Sequence, residues 1–198
     1  MRVIFLDIDG VLNAQDDFGG RSKPNPNVGG LWGISIAKVK RLKYIVDRTD
    51  AKLVLTSTWK KDYNKYINDH VNIFGKYLYN KLRKCDLRIF DTTERYETNP
   101  SDRSNGIKGW LKDHEGDVES YIILDDDYFP GYDDKEVNPY LVFTSICTGL
   151  TPIKARECIC KLLNLDEDAL DTPFEKIVKT MIKGIMPTVG EEDFYEAI

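Results

Sequence analysis

Two aspartates one residue apart and followed by a glycine, Asp7-Ile8-Asp9-Gly10, are the most chemically specific feature of this chain. Residues i and i+2 leave an extended chain on the same side, so both carboxylates can face one point while Ile8 turns into the core. Gly10 lets the chain turn sharply and frees the carbonyl of residue 9 to face that same point. Carboxylates this close repel each other unless a cation offsets them, and oxygen ligands with no nearby His or Cys suit Mg²⁺. Alone, such a segment is as readily an acidic exit from a strand into a turn. Three further segments change the weighing. Thr56-Ser57-Thr58 offers hydroxyls and amides that can hold a phosphate where a helix begins near Trp59. Asp125-Asp126-Asp127 offers more carboxylates, and a cation, Arg103 or Lys108, lies at the start of the helix that leads to them.

These segments share a position: each ends, or feeds, a stretch that reads as a regular element. Val3–Leu6, Lys52–Leu55 and Tyr121–Leu124 are continuous apolar runs of strand length, as expected of strands covered on both faces of a parallel sheet. Ile34, Ala37, Val39, Leu42, Ile45 and Val46 lie at helical spacing between the first two runs, and Ile107, Trp110 and Leu111 precede the third. Strand alternating with helix predicts an α/β fold, a three-layer α/β/α sandwich around a central parallel sheet with its active edge at the strands' C-terminal ends. Leu141–Phe143 reads as a further strand. Thr151 as N-cap and Pro152 at the first helical position start a helix that runs to about Leu163. The expected organisation is a core over 1–165, with a small helical cover within 63–102 and little or no other cap, then a C-terminal helical appendage over 166–198. Segments 13–33 and 91–103 are polar and turn-rich, a composition typical of functional loops.

Composition narrows the classes. The chain has 198 residues, with 28 Lys+Arg against 33 Asp+Glu and a net charge of −5, which suits a single soluble domain and argues against a chain-wide basic face for duplex nucleic acid. No apolar run reaches the length of a membrane span, and Asp7 interrupts the first one too early for a signal peptide. Cys85, Cys147, Cys158 and Cys160 form no C-x-x-C pair and read as reduced thiols, so a cytoplasmic setting is expected. With His70 and His114 as the two imidazoles, the composition argues against zinc.

Taken in order, the four segments resemble the motifs of the haloacid dehalogenase (HAD) superfamily of aspartate-nucleophile phosphatases. More narrowly, Leu6-Asp7-Ile8-Asp9-Gly10-Val11-Leu12-Asn13, Val54-Leu55-Thr56-Ser57-Thr58-Trp59, Arg103 ahead of Ile107 and Trp110-Leu111, Ile123-Leu124-Asp125-Asp126-Asp127 and Gly149-Leu150-Thr151 are similar to the phosphatase-like domain of multidomain RNA-repair proteins. The chain carries no G-x-x-x-x-G-K-[ST] loop, so a version without a kinase partner domain is expected. The resemblance implies that Asp7 attacks phosphorus and becomes an aspartyl-phosphate, while Asp9 protonates the leaving oxygen and later activates water. It implies Mg²⁺ held by Asp7, the backbone carbonyl of Asp9 and an acid of the third strand end, with Asp126 preferred and Asp125 as its partner. Thr56 and the amide of Ser57 would hold one phosphoryl oxygen, and Arg103 or Lys108 another. Arg103 is favoured because the motif usually falls just ahead of this helix.

The function so implied is a Mg²⁺-dependent phosphomonoester hydrolase acting on a phosphorylated small molecule or nucleotide, or on a nucleic-acid phosphate end. The alternative is a catalytically silent binding or regulatory module, whose mark would be loss of Asp7 or Asp9. Phosphotransfer or carbon–halogen cleavage by the same Asp7 is a second rival, and Asp9 speaks for phosphate because a leaving alkoxide needs an acid. Trp59, just beyond the phosphate-holding turn, is the best candidate for an exposed stacking ring, ahead of Trp32, and Trp110 reads as core. Lys60-Lys61, Lys65, Lys76, Lys81, Arg83 and Lys84 read either as a strip for a nucleic-acid backbone or as solvated helix faces. Asp127, the run Asp133 to Glu136, His70 and His114 read as surface or structural residues.

Overall fold

The apolar runs pair side by side because each carries side chains that need cover on both faces. A computed structural model describes residues 1–18, 33–99, 102–135 and 137–166. In it β1 (Arg2–Leu6), β2 (Lys52–Leu55), β3 (Ile89–Thr92), β4 (Ser120–Asp125) and β5 (Leu141–Phe143) form one sheet in the order β3-β2-β1-β4-β5. All four pairings are parallel. Leu6 stands opposite Leu55 on one side and Leu124 on the other, so three strands reach their C-terminal ends at the same level.

Helices cover both faces, as a parallel sheet requires. They are α1 (Ile36–Thr49), α2 (Lys60–Asp69), α3 (Ile73–Arg83), α4 (Arg103–Asp113) and α5 (Pro152–Leu163). Ile4, Leu6, Leu53, Leu55, Ile122 and Leu124 pack with residues of α1, α3 and α5 in one core. Val3, Phe5, Val54 and Ile123 turn to the other face and meet Ile107 and Trp110 of α4. This alternation along each strand makes the three layers of an α/β sandwich. Trp110 is fully buried, meets Phe5 edge to face at 5.4 Å between centroids and donates its indole N–H to Asp91 Oδ2 at 2.7 Å. The Thr151 side chain caps α5 by accepting from the Lys154 amide at 3.2 Å, with Pro152 beginning the helix as its fixed φ favours.

Two details differ from the sequence reading. β3 was not anticipated: Ile-Phe-Asp-Thr is short and half polar, and it joins the sheet at an edge, next to an irregular step between Leu53 and Val54. In α1 Lys38 is buried and Ala37 exposed, because Asp16 pairs with the Lys38 ammonium at 2.9 Å. Cys85, Cys147, Cys158 and Cys160 form no disulfide. No helix among the described residues is long and apolar enough to cross a membrane. The expected appendage beyond Asp166, and Trp32, lie outside the described residues. Trp110 fills the space between α4 and the sheet, so Trp110→Ala should cost about 3–5 kcal/mol in chemical denaturation. A loss below about 1 kcal/mol would mean the α4 face does not depend on this ring.

Candidate active site

The site grows from the central position of β1. Ladder hydrogen bonds continue past the strand: the Asp7 amide donates to the Leu124 carbonyl at 2.9 Å, and the Thr56 amide to the Leu6 carbonyl at 2.9 Å. Asp7 is therefore flanked by Thr56 on one side and by Asp125, the last residue of β4, on the other. Beyond Asp9 the chain turns at Gly10 with a φ of +65°. A Cβ at Gly10 would lie 1.9 Å from Asp126 Oδ2, so the missing side chain leaves room for that carboxylate. Carboxylate oxygens of Asp7, Asp125 and Asp126 come within 4.8 Å of one another.

Arg103, the first residue of α4, supplies the opposing charge. Its Nη1 donates to Asp125 Oδ2 at 2.7 Å and stands 3.1 Å from Asp7 Oδ1, with the guanidinium carbon 3.9 Å from the centre of the Phe129 ring. Tyr132 donates its hydroxyl to the same Asp125 oxygen at 2.9 Å, and the Asp127 amide donates to Asp125 Oδ1 at 3.2 Å. Burial drives the Arg103 pKa down, and the charges of Asp7 and Asp125 more than reverse this, so the guanidinium stays protonated. Three carboxylates outnumber it. Burial first, then the charge of Asp125, pushes Asp7 up to about 8, against the pull of Arg103. Burial also raises Asp125, and burial with the charge of Asp125 pushes Asp126 up to about 6.

Such upward shifts mark a cluster short of positive charge. Asp7 Oδ1 is buried without a hydrogen bond, since Arg103 approaches it as an ion pair outside hydrogen-bond geometry. Thr56 Oγ1 and Arg103 Nε are buried without partners as well. An all-oxygen donor set, a buried carboxylate oxygen without a hydrogen bond and a deficit of positive charge fit a hard divalent cation such as Mg²⁺. Asp125 has one oxygen committed to Arg103 and Tyr132, whereas Asp126, among the described residues, accepts only from its own backbone amide and has more of its carboxylate to offer.

The structure brings Asp7, Thr56, Arg103, Asp125 and Asp126 together, with Ser57 fully buried beside them and its hydroxyl hydrogen bonding Asp7. It does not bring Lys108, which pairs with Asp134 on the outer side of α4; five residues along a helix from Arg103, it points elsewhere. Asp9 sits beside the carboxylate group, its own side chain engaged by two donors: Asn13 Nδ2 to Oδ1 at 2.7 Å and Trp59 Nε1 to Oδ2 at 2.9 Å. Trp59 is thus not an exposed stacking ring. It is buried, because its indole is drawn in by Asp9. Lys60 likewise leaves the basic strip: its ammonium is buried, donates to the Thr56 carbonyl at 2.8 Å and pairs with Glu97 at 2.9 Å. Lys61, Lys65, Lys76, Arg83 and Lys84 are exposed. Asp127 is exposed, and His114 stacks on Trp110 at 3.7 Å as a structural residue.

Asn13, Phe129 and Tyr132 contact the site's residues and Glu97 pairs with Lys60 behind Thr56 without having been expected there, while Trp59, expected beside the site as an exposed ring, is a buried donor to Asp9. Only Trp59 and Asn13 left a trace, as members of the segments Thr56 to Trp59 and Asp7 to Asn13; the other three come from loops without a motif. The charge excess has a measurable consequence. An acid whose folded pKa is raised holds its proton in the folded state after the unfolded chain has lost it, so stability falls as pH rises through that window. For Asp7 the window runs from its ordinary value of 3.8 to about 8. In chelator, the protein should be more stable to urea at about pH 5.5 than at about pH 7.5, and Asp126→Asn should make the difference smaller. An equal difference in both proteins would show that the cluster does not carry it.

A family model described as the HAD domain in Swiss Army Knife RNA repair proteins matches residues 3–155, a span that includes every residue gathered here. Searches of curated proteins and of solved structures return no match. The match supports a phosphatase-like role, and the described residues include the carboxylate cluster of Asp7, Asp125 and Asp126. With its ordered strand ends, parallel sheet and matched span, the chain belongs to the family of HAD domains in Swiss Army Knife RNA repair proteins.

Proposed function

We propose that this chain is a Mg²⁺-dependent phosphomonoesterase working through an aspartyl-phosphate on Asp7. The observation that carries the reading is a buried carboxylate oxygen and a buried hydroxyl, Asp7 Oδ1 and Thr56 Oγ1, both without a hydrogen bond at adjacent strand ends. An unpartnered buried polar atom costs about 1–3 kcal/mol, so a place where two occur together favours a bound polar group. Asp7, Asp126, Asp125 and the backbone carbonyl of Asp9 would hold Mg²⁺, which when bound neutralises charge on the phosphoryl oxygens.

The residues of the chain then divide the work. Asp7 forms a bond to phosphorus as the bond to the leaving oxygen breaks, and Asp9 gives that oxygen its proton. Thr56 donates its free hydroxyl to a phosphoryl oxygen, with the amide of Ser57 beside it. Arg103 holds Asp7 and Asp125 in place and balances charge as the phosphoryl group arrives. In the second step water attacks phosphorus, Asp9 takes its proton, and the bond to Asp7 breaks. We assign Lys108 no part in this.

Mg²⁺ with beryllium fluoride imitates a phosphorylated Asp7, so the pair should raise the melting temperature of the wild type and leave that of Asp7→Asn unchanged. No shift in the wild type would overturn the aspartyl-phosphate reading. The substrate proposed is a nucleotide or a 5′- or 3′-phosphorylated nucleic-acid end, with small aryl phosphates also accepted. A panel of mononucleotides and end-phosphorylated oligonucleotides should show release of phosphate from at least one of these. Turnover confined to non-nucleotide phosphates would remove the nucleic-acid part of the proposal.

A further inference from the structure

Both oxygens of Asp9 are engaged by groups that can only donate through the atoms used. Asn13 Nδ2 donates to Oδ1 at 2.7 Å, and Trp59 Nε1 donates to Oδ2 at 2.9 Å. Neither contact is free to choose another geometry. The Asn13 amide is oriented by its other end, since Asn13 Oδ1 accepts the Gly10 amide at 3.0 Å and so turns the NH₂ group toward Asp9. The Trp59 indole has a single N–H and a ring buried to 5% exposure, tilted against Tyr77 with centroids 6.4 Å apart. Trp59 also follows directly on the turn that carries Thr56 and Ser57, and its own amide donates to Ser57 Oγ at 3.4 Å. One residue thus touches both the turn of β2 and the side chain of Asp9.

We infer that Trp59 is a positioning residue for Asp9, holding its carboxylate with Asn13 in the direction from which it passes its proton. This rests on the acid/base role given to Asp9 above. The two steps set the demand. In the first, the Asp9 O–H bond breaks and its proton goes to the leaving oxygen as the phosphorus bond moves from that oxygen to Asp7. In the second, water forms a bond to phosphorus, its proton returns to Asp9, and the phosphorus bond to Asp7 breaks. Proton transfer depends steeply on distance and direction, and misplacement by about 1 Å can cost about 100-fold. A carboxylate rotates freely about its Cβ–Cγ bond unless both ends are held. The indole supplies the hold that comes from outside the Asp7–Asn13 turn.

The test uses Trp59→Phe, which deletes the N–H and keeps an aromatic ring in the same space, with two substrates of different leaving group. Turnover of phenyl phosphate, whose leaving oxygen needs a proton, should fall about 10- to 100-fold with KM changed less than about threefold. With p-nitrophenyl phosphate, whose leaving group needs little protonation, the rapid-quench burst should persist, and phospho-Asp7 should accumulate because the second step still needs Asp9. In an Asp9→Asn background, Trp59→Phe should have an effect of less than about twofold, as expected of residues that act as a unit. A loss equal for both substrates, both steps and both backgrounds would assign Trp59 a purely structural part and overturn the inference. Should Trp59→Phe fail to fold, Asn13→Ala, which deletes the second donor, must give the same pattern or the inference fails. A folded wild type with neither burst nor turnover would overturn the phosphatase reading itself and this inference with it, an outcome distinct from a working wild type that Trp59→Phe leaves unaltered.

Discussion

Carboxylates at the ends of neighbouring parallel strands are held within a few ångströms by the ladder itself, and the arrangement stands only because Arg103 reaches between them. Its Nη1 meets Asp125 at 2.7 Å and Asp7 at 3.1 Å while its plane lies over Phe129. Local helix energetics do not favour this placement. Arg103 opens α4, and a cation at a helix N-terminus faces the positive end of the helix dipole. The two buried aspartates outweigh that penalty, so α4 is anchored to the sheet edge by charge as well as by Trp110 and Ile107. Removing the guanidinium would leave the carboxylates uncompensated, which costs far more than an intact pair contributes.

A second layer of polar contacts joins loops that share no sequence proximity. Thr144, just beyond β5, donates its hydroxyl to the Gly10 carbonyl at 2.8 Å and its amide to the Asp125 carbonyl at 2.9 Å. Lys60 donates to the carbonyls of Thr56 and Ser57, and Glu97 neutralises it beneath the turn. Burial lowers the Lys60 pKa, and the hydrogen bond and charge of Glu97 act against that shift. Hydrogen bonds therefore tie the loop after β5 to those after β1 and β4, and the Trp59 indole ties the turn after β2 to Asp9.

Where a residue type was demanded by local geometry, the sequence was readable. Asp7-x-Asp9-Gly10 needs a strand before it and a turn after it, and Thr151-Pro152 needs a helix after it; each was found where expected. The continuous apolar runs became β1, β2 and β4 because burial on both faces leaves no other composition for a central strand. β3 lacked this mark, since an edge strand is covered less and its Asp91 and Thr92 carry no apolar signal. Packing likewise separates Arg103 from Lys108: the first pairs with Asp7 and Asp125 and the second with Asp134, and which side of α4 faces the sheet depends on Ile107 and Trp110 together.

By itself, then, the sequence determined the fold class and the order of strand ends, because periodicity and turn chemistry are local properties that neighbouring residues impose on one another. Tertiary structure decided what those ends touch. Trp59 read as a ring for a ligand and is instead a donor to Asp9 from 50 residues away, and Lys60 read as a surface charge and is instead buried against Glu97. Tyr132 and Phe129 hold Asp125 and Arg103 from a loop with no motif. Each of these depends on a partner distant in the chain. No spacing along one segment encodes such a partner, because the energy of a buried hydrogen bond or ion pair is set by both groups and by the water excluded between them.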